Sequence, residues 1–350
     1  MKNITNQQNT WGINQVFIFF STMLVSAFLL KEAAPLITPV LIALALAIIL
    51  TPALNYLQSK GLNKVVSLFL ILFVVSLPLL YISNYMANEL REFASNYHNI
   101  KEQLYQRIRL VIEFLSHYGI TLQAENIKEF LQDSDISGMF KKLLSQANTQ
   151  LSNTFIIILM LFFMVLESQY FHKKMLKIAQ ESNLESTTFT NIIENIQGYF
   201  RLKVLTSFIT AVLVFGVLWF FHIHYYALLA FLAFLLNFIP VIGSIFAAVP
   251  AVILAFLEYG VESMAWVGLW YLLINIIIGN IVEPRIMGKG FGFSPVAIFL
   301  SMNFWGWMFG PTGMILSVPL TMVLYFLFSQ YQETKWIALL LSDYKGESNS

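Results

Sequence analysis

Two clusters of helix-breaking residues interrupt apolar stretches of this chain, and each adds side-chain oxygens to an unusually free backbone. The first comprises Asn237, Pro240, Gly243 and Ser244 within "LLNFIPVIGSIFAAVPAVIL"; the second comprises Gly310, Pro311, Thr312 and Gly313 within "NFWGWMFGPTGMILSVPL". Non-helical backbone at membrane depth persists only where protein or a water-filled cavity satisfies its N–H and C=O groups. The two clusters are therefore expected to meet each other, or a polar solute, near the bilayer midplane. Ser244 and Thr312 are placed to cap the half-helices that follow, whose positive ends favour anionic or oxygen-rich ligands. The plainer alternative is that Gly and Pro merely kink membrane helices for packing.

A second set lies in "LINIIIGNIVEPRIMGKGFGFSP", where Asn275, Asn280 and Glu283 precede Arg285. An ionisable residue near membrane depth is a functional candidate by default. Glu283 is placed to carry a coupling proton or to pair with Arg285 as a gate; an interfacial charge pair anchoring a helix end is the alternative. His222 and His224 stand beside Tyr225 without a nearby carboxylate or third His, which points to an interfacial aromatic belt rather than a metal site. "GKGFG" at 288–292 lacks the spacing of a phosphate-binding loop, so no ATPase is expected. No Ser/His/Asp order stands out, and Cys is absent, which excludes thiolate chemistry and disulfides. Neither an enzyme, a metal nor a cofactor is expected.

The elements that must hold these residues follow from composition. Of 350 residues, 58% are hydrophobic and 11% charged, and mean hydropathy is +0.70. So little polar surface does not keep a soluble domain of this size dispersed, and the apolar residues come in blocks of membrane-crossing length. The fold class is all-α, a polytopic helical membrane protein. The net charge of +1 provides no basic field for nucleic acid. Spanning helices are predicted at about 13–30, 35–57, 65–86, 155–170, 204–221 and 265–281, with Pro35 and Pro39 in first turns and Pro52 as a kink. The first run has no clear small-x-small cleavage site and reads as a retained helix. Residues 88–150 carry both signs of charge with apolar residues at helical spacing, as in "LYQRIRLVIEFL", and read as an amphipathic helical insertion. The organisation is thus three N-terminal helices over 1–87, the insertion over 88–150, a transport core over 151–330 and a tail over 331–350.

The runs 227–257 and 294–328 are too long for one crossing and too short for two, which need about 40 residues. Loop charge separates the alternatives. Lys60 and Lys64, and later Lys173, Lys174, Lys177, Arg201 and Lys203, mark cytoplasmic links. If 227–257 is a hairpin, Glu258 and Glu262 fall outside and Arg285 and Lys289 inside, as the positive-inside rule prefers. The preferred topology has about six spanning helices and two re-entrant hairpins, with eight plain crossings as the alternative. Both termini are then cytoplasmic. Val249-Pro250 aligns with Val318-Pro319, and helix five plus the first hairpin mirrors helix six plus the second, a layout suited to alternating access.

"IALALAIILTPALNYLQSKGLNKVVS", "IIENIQGYFRLKVLTSFITAVL", "LLNFIPVIGSIFAAVPAVILAF" and "EPRIMGKGFGFSPVAIFLSMNFWGWMFGPTGMILSVPL" resemble the autoinducer-2 exporter (AI-2E) family of permeases over roughly residues 12–330. The resemblance rests on Asn237, Pro240, Gly243, Pro250, Pro284, Gly288, Pro295, Gly310, Gly313 and Pro319 as motif positions. It implies a transporter of the bacterial inner membrane without its own ATPase, and a homo-oligomer, with pentamers and elevator-like movement proposed in the family. The expected function is export of a small polar metabolite or signal such as autoinducer-2. The alternatives are a sodium (cation)/proton antiporter and an envelope scaffold that recruits partners through 88–150.

Overall fold

The computed structural model describes residues 13–117, 154–168, 187–240, 242–287 and 292–343, together with Tyr170, Lys174 and Lys177. The helices are α1 (Ile13–Glu32), α2 (Ala34–Ser59), α3 (Lys64–Ser116), α4 (Thr154–Ser168), α5 (Thr187–Phe220), α6 (Tyr226–Leu236), α7 (Gly243–Tyr259), α8 (Val261–Ile277), α9 (Pro295–Gln330) and α10 (Lys335–Leu341). The protein is a polytopic helical membrane protein: among the described residues, five helices (α2, α3, α5, α8 and α9) are long and apolar enough to cross a bilayer. Large side chains such as Leu36, Phe69, Tyr81 and Phe208 stand mostly exposed, as expected where lipid replaces water as the solvent.

Local chemistry sets the helix ends. Between α2 and α3, Gly61 takes a left-handed φ of 90°, and Asn63 Oδ1 then accepts from the Val66 N–H at 2.8 Å to start α3. α3 does not stop near residue 86 as expected. It continues to Ser116 for 53 residues, about 80 Å, because the apolar face of 88–116 keeps a helical period. Phe93, Ile100 and Leu104 use that face to pack on the core around α6 and α7. The rest of the proposed insertion, 118–150, lies outside the described residues. α5 also starts earlier than expected, at Thr187 rather than near 204.

The apolar run 226–259 folds back on itself. α6 has 11 residues and α7 has 17, about 16 and 25 Å, so each half is shorter than a bilayer's hydrocarbon core of about 30 Å. Residues 295–330 also fold back, although helical hydrogen bonding is nearly continuous. Gly310 breaks the helix with φ 63° and ψ −147°. Trp305 Nε1 donates to Thr321 Oγ1 at 3.1 Å, whereas 16 residues of straight helix would separate them by about 24 Å. The base of this second hairpin is tied to α10, since the Ser294 N–H donates to the Leu341 carbonyl at 3.1 Å.

Both hairpin tips are closed by the same device. A Cβ on Gly243 would land on the Leu236 carbonyl oxygen, and a Cβ on Gly313 would land on that of Trp305. The neighbouring contacts match too, with Ile239 Cβ at 3.1 Å in one tip and Phe309 Cβ at 3.0 Å in the other. Only a residue without a side chain lets the chain turn this tightly.

Three apolar clusters hold the bundle together. α2, α3 and α4 form one around Leu68 and Leu161. The C-terminal half of α5 joins hairpin one and α8 in a second, around Leu218, Ala251 and Val267. The N-terminal half of α5 joins hairpin two and α2 in the third, through Phe200, Leu316 and Met322. α5 is therefore the axle between the hairpins. α8 packs on α7 and α5, so it sides with hairpin one.

Candidate functional site

α5 carries the polar side chains around which the candidate site forms. In "RLKVLTSFIT" the hydroxyls of Thr206, Ser207 and Thr210 fall within five residues, at the start of the uncharged stretch that follows Lys203. Of the seven buried polar side chains among the described residues, these are three. A buried hydroxyl in a membrane helix needs a partner, and the tertiary structure supplies two of the three.

Glu283 arrives from α8. After Ile277 the helix widens into a π turn, Ile278–Val282, and the Glu283 N–H donates to the carbonyl of Ile278, five residues back. The inserted residue rotates everything after it by about a third of a turn, and such bulges recur at functional sites. Here the rotation aims the Glu283 carboxylate at α5. Lys203 Nζ lies 2.7 Å from Glu283 Oε1, and Thr206 Oγ1 donates to the same oxygen at 3.1 Å. The two charged side chains are 12% and 18% exposed, so the pair is largely shielded and stronger than one at an open surface.

The tip of hairpin one completes the cluster. Asn237 Nδ2 donates to Ser207 Oγ at 3.0 Å, while Thr210 Oγ1 is buried without a partner among the described residues. The uncharged stretch of α5 runs from Val204 to Phe220, about 25 Å. Ser207 lies about 20 Å back from Phe220 along it, so this tip docks near the Arg201–Lys203 end of that stretch. The tip of hairpin two goes elsewhere. Trp307, one turn before Gly310, meets Phe28 edge-on at 5.6 Å and lies under the Lys31 ammonium at 4.5 Å, in the last turn of α1. Among the described residues no hydrogen bond joins the two tips.

The expected site residues therefore separate. Asn237 and Glu283 converge on one cluster, with buried Pro240 and Gly243 shaping its tip. Arg285 is exposed and is not the partner of Glu283; Lys203 takes that place, because the π turn directs Glu283 toward α5. Asn275 is half-buried one turn before the π segment, and Asn280 is exposed within it. Gly310, Pro311, Thr312 and Gly313 form the other tip. Ser244 and Thr312 do not act as caps. Each is already inside its half-helix, after Gly243 and Pro311. The side-chain cap in this region is Ser294, whose Oγ accepts from the Ala297 N–H at 3.1 Å. Gly288 and Lys289 lie outside the described residues. Lys203, Thr206 and Ser207 were missing from the sequence expectation, although three hydroxyls so close together in an apolar helix were a readable sign.

Near the opposite end of α5, Glu258 accepts from the His224 N–H at 3.2 Å, with His224 Nδ1 3.1 Å from the same carboxylate oxygen. Among the described residues no group of three potential ligands assembles a metal site.

Over residues 17–333 the sequence matches the family model described as AI-2E family transporter. The chain belongs to the AI-2E transporter family. A relative from Haemophilus influenzae is 31% identical over 342 residues, covering 96% of this chain and 98% of its own. AI-2 transport protein TqsA of Escherichia coli is 29% identical over 318 residues, covering 91% and 92% respectively. A sodium-lithium/proton antiporter of Halobacillus andaensis is 25% identical over 314 residues, covering 83% and 88%. As an AI-2E member the protein is a multi-pass membrane transporter, and the cluster on α5 lies inside the matched region.

Proposed function

We propose that this protein is a secondary transporter that exports a small polar metabolite or signal of the autoinducer-2 kind by alternating access. The carrying observation is the polar cluster at which α5, the tip of hairpin one and the π turn of α8 are held together by Lys203–Glu283, Thr206–Glu283 and Asn237–Ser207. These bonds join elements that otherwise meet through apolar contacts. A hydroxyl-rich solute offers donors and acceptors that compete for these groups, which would couple its binding to their separation. The location we assign is the bacterial inner membrane with both termini cytoplasmic, as a homo-oligomer.

The test compares untargeted metabolite efflux, autoinducer-2 included, from cells or vesicles with and without the protein. Selective accumulation of a polar solute outside supports export. Unchanged levels on both sides for every detectable solute overturn it.

A second reading, cation/proton antiport, is favoured by one feature: a shielded carboxylate that already holds a cation, the Lys203 ammonium, beside a hydroxyl oxygen. Everted vesicles that fail to dissipate a pH gradient on adding Na+ or Li+ would remove it.

A further inference from the structure

The faces of α2 and α5 that do not meet each other leave an open groove of about 360 Å³, on a different face of α5 from the hydroxyls of Thr206, Ser207 and Thr210. Its long wall is one stripe of α5: Gln197, Arg201, Val204, Leu205 and Phe208, spaced at three to four residues as one helix face requires. The opposite wall includes Pro52 of α2. Pro52 has no N–H to give to the Ile48 carbonyl, and the Gln197 amide crosses to that oxygen instead, at 3.1 Å. The proline thus opens the gap, and Gln197 closes its polar end.

The groove is amphipathic along its length. Arg201 is exposed at one end, and the stretch from Val204 onward is uncharged. Among the described residues no carboxylate pairs with Arg201, and its one hydrogen bond, Nε to the Gln197 carbonyl at 3.4 Å, leaves both terminal nitrogens free. From Arg201 the apolar part runs past Leu205 to Phe208, seven residues or about 10 Å into the hydrocarbon. A guanidinium where the apolar stretch begins, followed by an apolar channel, matches a phosphate headgroup followed by an acyl chain.

We propose that this groove binds an anionic phospholipid, with its phosphate on Arg201 and an acyl chain along Val204, Leu205 and Phe208. The inference is independent of which solute is transported.

The test uses the full-length protein in detergent, with phosphatidylglycerol, phosphatidylcholine or inorganic phosphate added. Native mass spectrometry reads lipid retention, and thermal unfolding reads stabilisation. Phosphatidylglycerol is expected to be retained more strongly than phosphatidylcholine and to raise the unfolding temperature more. Arg201→Gln should weaken phosphatidylglycerol retention about tenfold, the loss of a charge-assisted hydrogen bond, while Arg201→Lys keeps most of it. Val204→Trp, which fills the channel, should displace both lipids. Equal retention of the two lipids by the parent protein overturns the proposal. So does an unchanged preference in Arg201→Gln, or stabilisation by inorganic phosphate as strong as by the lipid. Self-crosslinking of Phe208→Cys between copies would assign the groove to a second chain and likewise overturn it.

Discussion

The side-chain amide of Gln197 donates to the backbone carbonyl of Ile48 across the gap between α5 and α2, at 3.1 Å. Ile48 is the residue whose carbonyl would be served by position 52 in an unbroken helix, and position 52 is a proline. The bond therefore repairs, from another helix, a defect built into α2. Gln197→Leu should lower stability by about 1–3 kcal/mol, the range for a buried acceptor left unserved. In the Pro52→Ala background the same change should cost much less, since an N–H is again available within α2. Unfolding in detergent of the two single variants and the double variant measures the coupling; additive effects would refute it.

The Lys203–Glu283 pair is largely buried, and removing one partner strands the other. Lys203→Met and Glu283→Gln are each expected to cost up to about 3–5 kcal/mol, with the double variant destabilised by less than the sum. Stability should thus recover partly in the double variant while transport stays lost. Expression level, unfolding temperature and vesicle efflux separate the two effects. A Glu283→Gln protein with parental efflux would show that the pair serves structure alone.

Gly243 and Gly313 should refuse even a methyl group. At either position Ala meets a backbone carbonyl that cannot rotate away, and a loss of at least about 1–3 kcal/mol is expected. At Gly198, within α5, a Cβ would meet nothing within 4 Å, so Gly198→Ala should be neutral or stabilising by about 0.5–1 kcal/mol. Comparing the three variants by thermal unfolding tests whether the tips, rather than glycine in general, need the space.

Hairpin two can be trapped chemically, and the absence of native Cys gives a clean background. A Cβ on Gly306 would sit 2.8 Å from Met314 Cγ, close enough for a disulfide once both positions are Cys. In a straight helix, eight residues would separate them by about 12 Å. Gly306→Cys with Met314→Cys should form an intramolecular bond under mild oxidation, read as a mobility shift reversed by reductant. Free thiols after oxidation would argue for a continuous crossing.

Much of the fold was legible because bilayer thickness is a ruler. Run lengths, breaker clusters and loop charge were enough to expect folded-back segments at 227–257 and 294–328, and the chain does fold back at both. The end of α3 was not legible in the same way, because amphipathic periodicity after residue 87 does not say whether the helix continues or restarts. At the site, Asn237 and Glu283 stood out as polar residues in apolar surroundings. The partner of Glu283 did not, since sequence proximity favoured Arg285 and the π turn that turns the carboxylate toward Lys203 leaves no composition signal. The docking point of the hairpin-one tip was equally hidden: it depends on how far α6 runs back along α5, which the breakers themselves do not encode.

The 53 residues of α3 give the molecule a lever. Its apolar part accounts for about 36 Å up to residue 87, and the remainder to Ser116 for about 44 Å more. At the start of that outer arm, Asn96 Nδ2 donates to the Tyr225 hydroxyl at 3.0 Å, and Phe93 meets the Tyr225 ring edge-on at 5.4 Å. Tyr225 is the left-handed residue, φ 58°, from which hairpin one departs. The clamp lies about 46 Å from one end of α3 and about 32 Å from the other. A tilt of the outer arm is therefore expected to load the root of hairpin one directly, at a residue whose backbone is already wound the less favourable way.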